Sequence, residues 1–479
     1  MKWPTIIQGG MGVGVSNWFL ANTVSQLGHL GVVSGTAIDN VIARRLQLGD
    51  VGGHIRRALD HFPVADIAQR VYDRYFISGG KSVKDAFRRI PVYTMKPSRS
   101  LLELSVVANF TEVFLAKEGH DGVVGINYLE KVQLPNLASI YGAMLAGVDY
   151  VLMGAGIPRE IPGVLDRFSK NEPASLRITV DNADKGDDHQ LHFDPRAILG
   201  SIGGTLKRPK FLAIISSATL ANMLAKKATG KVDGFIVEGH VAGGHNAPPR
   251  QSHEITADGE PIFGERDEPE LEKIRKLGLP FWLAGSYDTP EKLQQAKAEG
   301  AEGVQVGTLF AFCRESGLDA ELKQQAITLL KEDKLSVKTD AKASPTGFPF
   351  KVIQMPGTLS DPEVYAERNR ICDLGYLRMP FVNDKGEYEY RCPAEPVEDY
   401  TKKQGEEPAT EKRQCLCNAL MSNIGLAQVQ KEGKIEKPLL TAGKNLETVK
   451  LFLSGHNTEY SAADVIEWFC PVKTASATQ

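Results

Sequence analysis

Ala146-Gly147-Val148-Asp149-Tyr150-Val151, Gly230-Lys231-Val232-Asp233-Gly234-Phe235 and Gly300-Ala301-Glu302-Gly303-Val304 are three forms of one junction. In each, glycine stops a helical pattern, an acidic residue enters the loop and a buried apolar strand begins. The recurrence is an internal βα repeat. Outward from it, strand-like apolar runs lie at 5–8, 30–34, 122–127, 149–153, 211–215, 233–237, 281–284 and 303–306. Helical patterns separate them, including 17–27 with Ser16 as its expected N-cap, 136–146, 218–227 and 289–299. This alternation predicts an α/β fold, a (β/α)8 TIM barrel with a helical insertion and a C-terminal extension. An open doubly wound sheet is the alternative. The barrel is preferred because several strands end in polar or glycine residues that would share one rim.

The barrel is expected to occupy residues 1–335. Two of its connections are too long for plain βα units. Residues 39–118 carry several helical patterns, including 64–77, and read as a helical insertion forming a lid or second lobe. Residues 158–210 read as an excursion with a hairpin at 176–180 and 190–193. Residues 340–479 read as an appended extension, opening with Ser344-Pro345-Thr346-Gly347-Phe348-Pro349-Phe350. Within it, 401–413 is expected to be an exposed loop and 474–479 a frayed tail.

Composition narrows the class. The chain has 479 residues, 42% hydrophobic and 24% charged, with a net charge of -3, which is ordinary globular composition. A balance this close to neutral gives no electrostatic argument for a nucleic-acid or anionic-membrane partner. No apolar run is long enough to span a bilayer and no signal peptide is evident, so the expected location is cytoplasmic.

The residues with chemical promise cluster at strand ends. Val237-Glu238-Gly239-His240-Val241-Ala242-Gly243-Gly244-His245-Asn246 follows a buried strand. Its glycine pair lets backbone amides approach a ligand, and His245 just beyond is placed as a general base. Glu238 would hydrogen-bond a cofactor hydroxyl or cap backbone, and His240 would support the site or face solvent. Ala284-Gly285-Ser286 and Val306-Gly307-Thr308 end the last two strands, where barrels often hold a phosphate; Gly243 and Gly244 would complete the cradle. Gly9-Gly10-Met11 would let a flat ligand lie on the backbone, and Asn127 would pair with a heterocycle edge. The plain alternatives are tight turns for the glycines, a turn residue for Asn127 and a surface-loop histidine. A phosphate at one end and a flat surface with amide donors at the other fit FMN.

Taken together, Ile6-Ile7-Gln8-Gly9-Gly10-Met11, Gly125-Ile126-Asn127, Gly154-Ala155-Gly156, Glu238-Gly239 with Ala242-Gly243-Gly244-His245, Ala284-Gly285 and Val304-Gln305-Val306-Gly307-Thr308-Leu309-Phe310 resemble the flavin-dependent nitronate monooxygenase (2-nitropropane dioxygenase-like) family. They are also similar to its relatives, the flavin-dependent enoyl-acyl-carrier-protein reductases. The resemblance implies non-covalent FMN, with Gln305 and the strand-end residues above around it, and His245 as the catalytic histidine. It implies oxidation of a small nitronate by dioxygen to a carbonyl compound and nitrite. In the reductases it implies NAD(P)H-driven reduction of an enoyl thioester beside a fatty-acid or polyketide synthase. Ser286 stands where family members often have glycine, and Ser216-Ser217 where many have a basic residue. The two competing classes are a flavin-free lyase or aldolase barrel, against which no Schiff-base lysine ends a strand, and a non-enzymatic flavin-binding protein.

Four of the six cysteines, Cys372, Cys392, Cys415 and Cys417, lie in the extension. Thiolates grouped this way hold zinc or an iron–sulfur cluster; reduced cysteines packed as small hydrophobes are the alternative. No metal ligand is assigned. Apolar surface on the extension would suit a homodimer.

Overall fold

Alternate residues of a strand point to opposite faces, so a strand apolar on both faces has to be covered on both. The computed structural model, which describes residues 3–184, 186–250, 254–455 and 457–471, meets this demand by closure. The strands are β1 (Ile6–Gln8), β2 (Gly31–Ser34), β3 (Val124–Leu129), β4 (Tyr150–Gly154), β5 (Lys210–Ile215), β6 (Gly234–Glu238), β7 (Phe281–Ala284) and β8 (Gly303–Val306). They form one parallel sheet in the order β1-β8-β7-β6-β5-β4-β3-β2. The sheet closes between β1 and β2 by a parallel bridge from Ile7 to Leu30. Leu30 N donates to Ile6 O at 3.1 Å, and Gln8 N donates to Leu30 O at 2.9 Å. The buried Gln8 amide extends this short seam, with Oε1 accepting from Val32 N at 2.9 Å and Nε2 donating to Val32 O at 3.2 Å. The fold is a (β/α)8 barrel, and the open-sheet alternative falls with the seam.

Ile7, Val32, Leu152, Leu212, Ile236 and Trp282 fill the barrel interior. A larger apolar layer packs the outer faces of the strands against helices. At the third junction, Gly303 is dictated by close approach: a Cβ there would stand 1.8 Å from Thr5 O.

The outer ring differs from expectation in three ways. The helix Arg99–Lys117 packs against both Trp18–Gln26 and Asn136–Leu145, so it is the barrel's own second helix. The extra segment is therefore 38–98. It packs on the extension, where Arg44 Nη1 donates to Leu426 O at 2.6 Å and Asn40 Nδ2 to Tyr376 OH at 2.7 Å. Among the described residues, none of this segment lines the main cavity. Second, Ser16 does not cap the first helix. Asn17 does, its side chain accepting from Leu20 N at 2.8 Å. Third, the eighth helix of the ring is Ala462–Phe469, near the end of the extension, which packs between Trp18–Gln26 and Pro290–Ala298. It is held by Ala462 N donating to Glu315 Oε2 at 2.8 Å and by Tyr460 OH donating to Leu309 O at 2.7 Å.

The hairpin of the 158–210 excursion pairs Ala174–Arg177 with Gln190–Phe193 antiparallel. The tail expected at 474–479 lies outside the described residues. Among the described residues no helix is long and apolar enough to cross a membrane.

A chain ended after residue 335 lacks the eighth helix and exposes the apolar faces of Trp18–Gln26, Pro290–Ala298 and Thr308–Phe312 that it covers. It is expected to aggregate or melt without a cooperative transition, whereas the full chain melts cooperatively; calorimetry of both checks this. A soluble 1–335 fragment with a cooperative melt would show that the barrel closes without its last helix.

Candidate active site

Residues at the C-terminal ends of all eight strands, or in the turns that follow them, line one cavity of about 240 Å³. Gly9, Gly10, Met11, Asn127, Glu238, Gly243, Gly244, His245, Ala284, Gly285, Ser286, Gln305, Gly307 and Thr308 all line it. His240 does not. Its ring stacks on Phe263 at 4.6 Å and faces Glu268 Oε1 at 3.4 Å, so it contributes only backbone.

The first rim is set by Ser16. Freed from capping, its hydroxyl donates to Gly9 O at 2.8 Å and accepts from Met11 N at 2.9 Å. Gly10 then passes so close to Asn127 that a Cβ would lie 2.4 Å from the Asn127 Cβ. Asn127 Nδ2 donates to Gly10 O at 3.2 Å, while Asn127 Oδ1 is buried without a partner. Such an acceptor is costly unless something supplies an N–H or O–H.

The glycine–histidine turn after β6 is held from outside the barrel. The strand Phe350–Gln354 runs alongside it, with an antiparallel bridge from His245 to Phe350 and Lys351 N donating to Gly244 O at 2.9 Å. The Lys351 ammonium is buried beneath the turn. It donates to His240 O at 2.7 Å, Asn246 Oδ1 at 2.7 Å and Thr339 Oγ1 at 2.8 Å. Burial pushes its pKa down to about 8. A second segment, Thr441 to Lys444, crosses the same rim. Gly244 N donates to Thr441 Oγ1 and Gly443 N to Thr308 Oγ1, both at 2.9 Å, and Lys444 N donates to Val241 O at 2.9 Å. The Gly244 amide is thus already engaged, which leaves Gly243 and the glycines of the β7 and β8 rims for the cradle. Ser286 there has φ +58, a left-handed conformation that favours glycine.

The extension supplies walls that sequence reasoning missed: Phe350, Ile353, Leu420, Asn423, Leu440 and Asn445. Their one local signal is a lysine in the apolar run Phe348-Pro349-Phe350-Lys351-Val352-Ile353. Ser344 is the most consequential addition. Its Oγ meets His245 Nε2 at 2.7 Å and Thr346 Oγ1 at 2.8 Å, which orients the imidazole.

Burial lowers the His245 pKa from 6.5 to about 4, so the ring is neutral at neutral pH. Burial raises the Glu238 pKa from 4.5 to about 7, with the Lys351 charge opposing that rise. The two act oppositely on stability. Unfolded His245 binds the extra proton between pH 4 and 6.5, so its contribution is complete above 6.5 and lost as pH falls towards 4. Folded Glu238 keeps its proton to higher pH, so its contribution is present below 4.5 and lost as pH rises through 7. The slopes offset one another in the window they share. His245→Gln removes one of them. The variant should lose about 2–3 kcal/mol more than wild type between pH 4.5 and 7 in urea unfolding. Parallel profiles would mean that His245 does not titrate as a buried neutral ring.

With this geometry in place, comparison with known proteins is informative. Residues 204–352, from β5 to the strand beside His245, match the family model described as nitronate monooxygenase. No curated protein matches the chain. Among solved structures, FabK from Thermotoga maritima aligns with a TM-score of 0.48 at 16% identity, over 98% of this chain and 92% of that one. A nitroalkane oxidase from Streptomyces ansochromogenes aligns at 0.42 and 15%, over 98% and 94%. The enoyl reductase domain of MlnA, from the macrolactin cluster of Bacillus amyloliquefaciens, aligns at 0.45 and 11%, over 97% and 92%. The stretch that carries the glycine–histidine turn is nitronate monooxygenase-like, and the chain is an oxidoreductase enzyme.

Proposed function

We propose that the protein is an FMN-dependent oxidoreductase that oxidises alkyl nitronates with dioxygen to a carbonyl compound and nitrite. One observation carries the reading: a buried neutral histidine shares its cavity with an orphaned amide oxygen and glycine turns, within a stretch of nitronate monooxygenase-like sequence.

The residues present fit the cofactor. Asn127 Oδ1 would accept the ring-edge N–H that it lacks. Gly10 keeps the β1 rim bare of side chain, so a planar ring can lie against it. Gly285 and Gly307 would offer amides to the phosphate, with the Thr308 hydroxyl beside them. Bound FMN supplies the two-electron redox chemistry, with dioxygen as the final acceptor. The chain's own part is orientation and proton handling. Ser344 fixes Nε2 of His245, which leaves Nδ1 for the substrate. Above about pH 4 that nitrogen is free to hydrogen-bond the substrate's polar end and to take up a proton there.

A second reading, reduction of an enoyl thioester by NAD(P)H alongside a fatty-acid or polyketide synthase, is favoured by the apolar wall of Phe350, Leu420 and Leu440. That wall suits an acyl chain better than a short nitronate does.

Anaerobic mixing of the purified protein with propyl-2-nitronate separates the two. Flavin bands that bleach and return with air support nitronate oxidation. A flavin that ignores nitronate, bleaches with NAD(P)H and is reoxidised by an enoyl thioester moves the assignment to the reductase. No flavin after reconstitution with FMN sinks both. His245→Ala should keep FMN and lose about 10²–10⁴-fold in turnover. Gly307→Asp should lose FMN. A Cβ at Gly307 meets only Met11, at 3.6 Å or beyond, so the variant folds and its carboxylate repels the phosphate.

A further inference from the structure

The four cysteines of the extension border a void of about 10 Å³, room for about one water molecule, and the Cys372 and Cys392 thiols hydrogen-bond each other. They pack as small hydrophobes. The end of the main cavity that the extension walls is built on another scale. Val15, Leu318, Ile353, Leu420 and Leu440 line it. Backbone contacts join these residues into one continuous wall. Gly317 N donates to Val15 O at 2.8 Å, Asp319 N to Asn423 O at 2.8 Å, and Ile353 N to Leu440 O at 3.0 Å. Leu420 stands on the helix Leu416–Ser422, which Asn423 ends. None of the five belongs to the glycine rims that would hold FMN. Ile353 and Leu440 face the cavity yet are only 1% and 2% exposed, so this end is shielded from bulk water.

The polar groups in this wall are already satisfied. Asn423 Nδ2 donates to Leu439 O at 2.9 Å, and Asn423 Oδ1 accepts from Leu439 N at 3.0 Å. Thr441 Oγ1 accepts from Gly244 N at 2.9 Å. Among the described residues no lysine or arginine lines the cavity, and its carboxyl groups are those of Glu238 and Asp288. Lys351 stands behind the turn, its ammonium spent on His240 O, Asn246 Oδ1 and Thr339 Oγ1. A charged group at the end of a substrate's tail would lose its hydration here and find no cation in return. An alkyl chain gives up no such hydration, and each methylene it buries strengthens binding about fourfold.

We propose that this end of the cavity binds an uncharged, unbranched alkyl tail, and that Leu420 and Leu440 set a specificity for substrates whose tails carry no carboxylate. The reactive head lies beside His245, as in the oxidoreductase reading on which this rests, and the tail site serves a nitronate or an enoyl thioester alike.

Isothermal titration calorimetry of the full chain reconstituted with FMN, using 1-butanol, 1-hexanol and 1-octanol, probes the site without any reaction. One binding site is expected, with affinity rising about fourfold per methylene. Octanoate should bind about tenfold more weakly than 1-octanol, or worse. Leu420→Trp fills the space and should abolish binding; the wild-type series decides the matter even if that variant fails to fold. Affinity independent of chain length, octanoate bound as tightly as 1-octanol, or binding retained in a folded Leu420→Trp variant would each overturn the assignment. So would alkanol binding that FMN abolishes, since the flavin itself would then fill the space. Alkanols carry no reactive head, so a protein that binds them but turns over neither nitronate nor enoyl thioester keeps its tail site while the activity reading falls.

Discussion

The ammonium of Lys351, buried under the glycine–histidine turn, is the contact on which the candidate site depends. A loop with two adjacent glycines has little conformational preference of its own. Here its path is dictated by a cation that needs three acceptors at fixed distances and finds two of them in the turn, His240 O and Asn246 Oδ1. Hydrogen bonds to a charged donor are each worth about 1.5–3 kcal/mol, and a buried ammonium without them is prohibitive. The turn therefore takes the shape that satisfies the lysine, and His245 is aimed as a consequence. Ser344 then orients the ring from the same side. Orientation of the catalytic candidate is thus the work of the extension, while the barrel supplies the floor.

Much of the architecture is legible in the sequence alone. Strands buried on both faces are continuous apolar runs, and the glycine–acid–strand junction recurs three times. Residues at strand ends also fall on one rim by the logic of a parallel barrel, which is why the fourteen candidate positions meet in one cavity. The features that are not legible depend on distant pairings. Arg99–Lys117 is buried over most of its circumference and lies in a long helical stretch, so nothing local marks it as the barrel's own helix. Ser16 and Asn17 are both good caps; the choice turns on a hydroxyl being needed at Gly9 and Met11, a demand created by the β1 rim. The contribution of Thr441 to the Gly244 amide spans the two ends of the fold and leaves no trace in spacing.

The two seams that join extension to barrel are unequal in kind. The one at the rim is polar, made of backbone pairs and the Lys351 contacts, and it shapes the cavity. The one at the ring is mainly apolar, with Ala462, Val465, Ile466 and Phe469 buried against neighbouring helices and two hydrogen bonds pinning its start. A polar seam fixes geometry because each bond has a direction; an apolar seam supplies affinity without direction. The division gives the candidate histidine directed bonds at the rim, while the outer shell only has to stay covered.

The position of Ala462–Phe469 also bears on how the molecule comes into being. Its neighbours in the ring are the helices that follow β1 and β7, yet it leaves the ribosome well after all eight strands. At synthesis speeds of about 5–20 residues per second, the eight strands exist for several seconds before residue 469 arrives. Through that interval the helices that Ala462–Phe469 covers, Trp18–Gln26, Pro290–Ala298 and Thr308–Phe312, present unshielded apolar surface, the hallmark of an aggregation-prone nascent state. The ring is therefore completed only after all eight strands have emerged, and its maturation belongs with slow, topologically distant pairings rather than with stepwise growth of βα units.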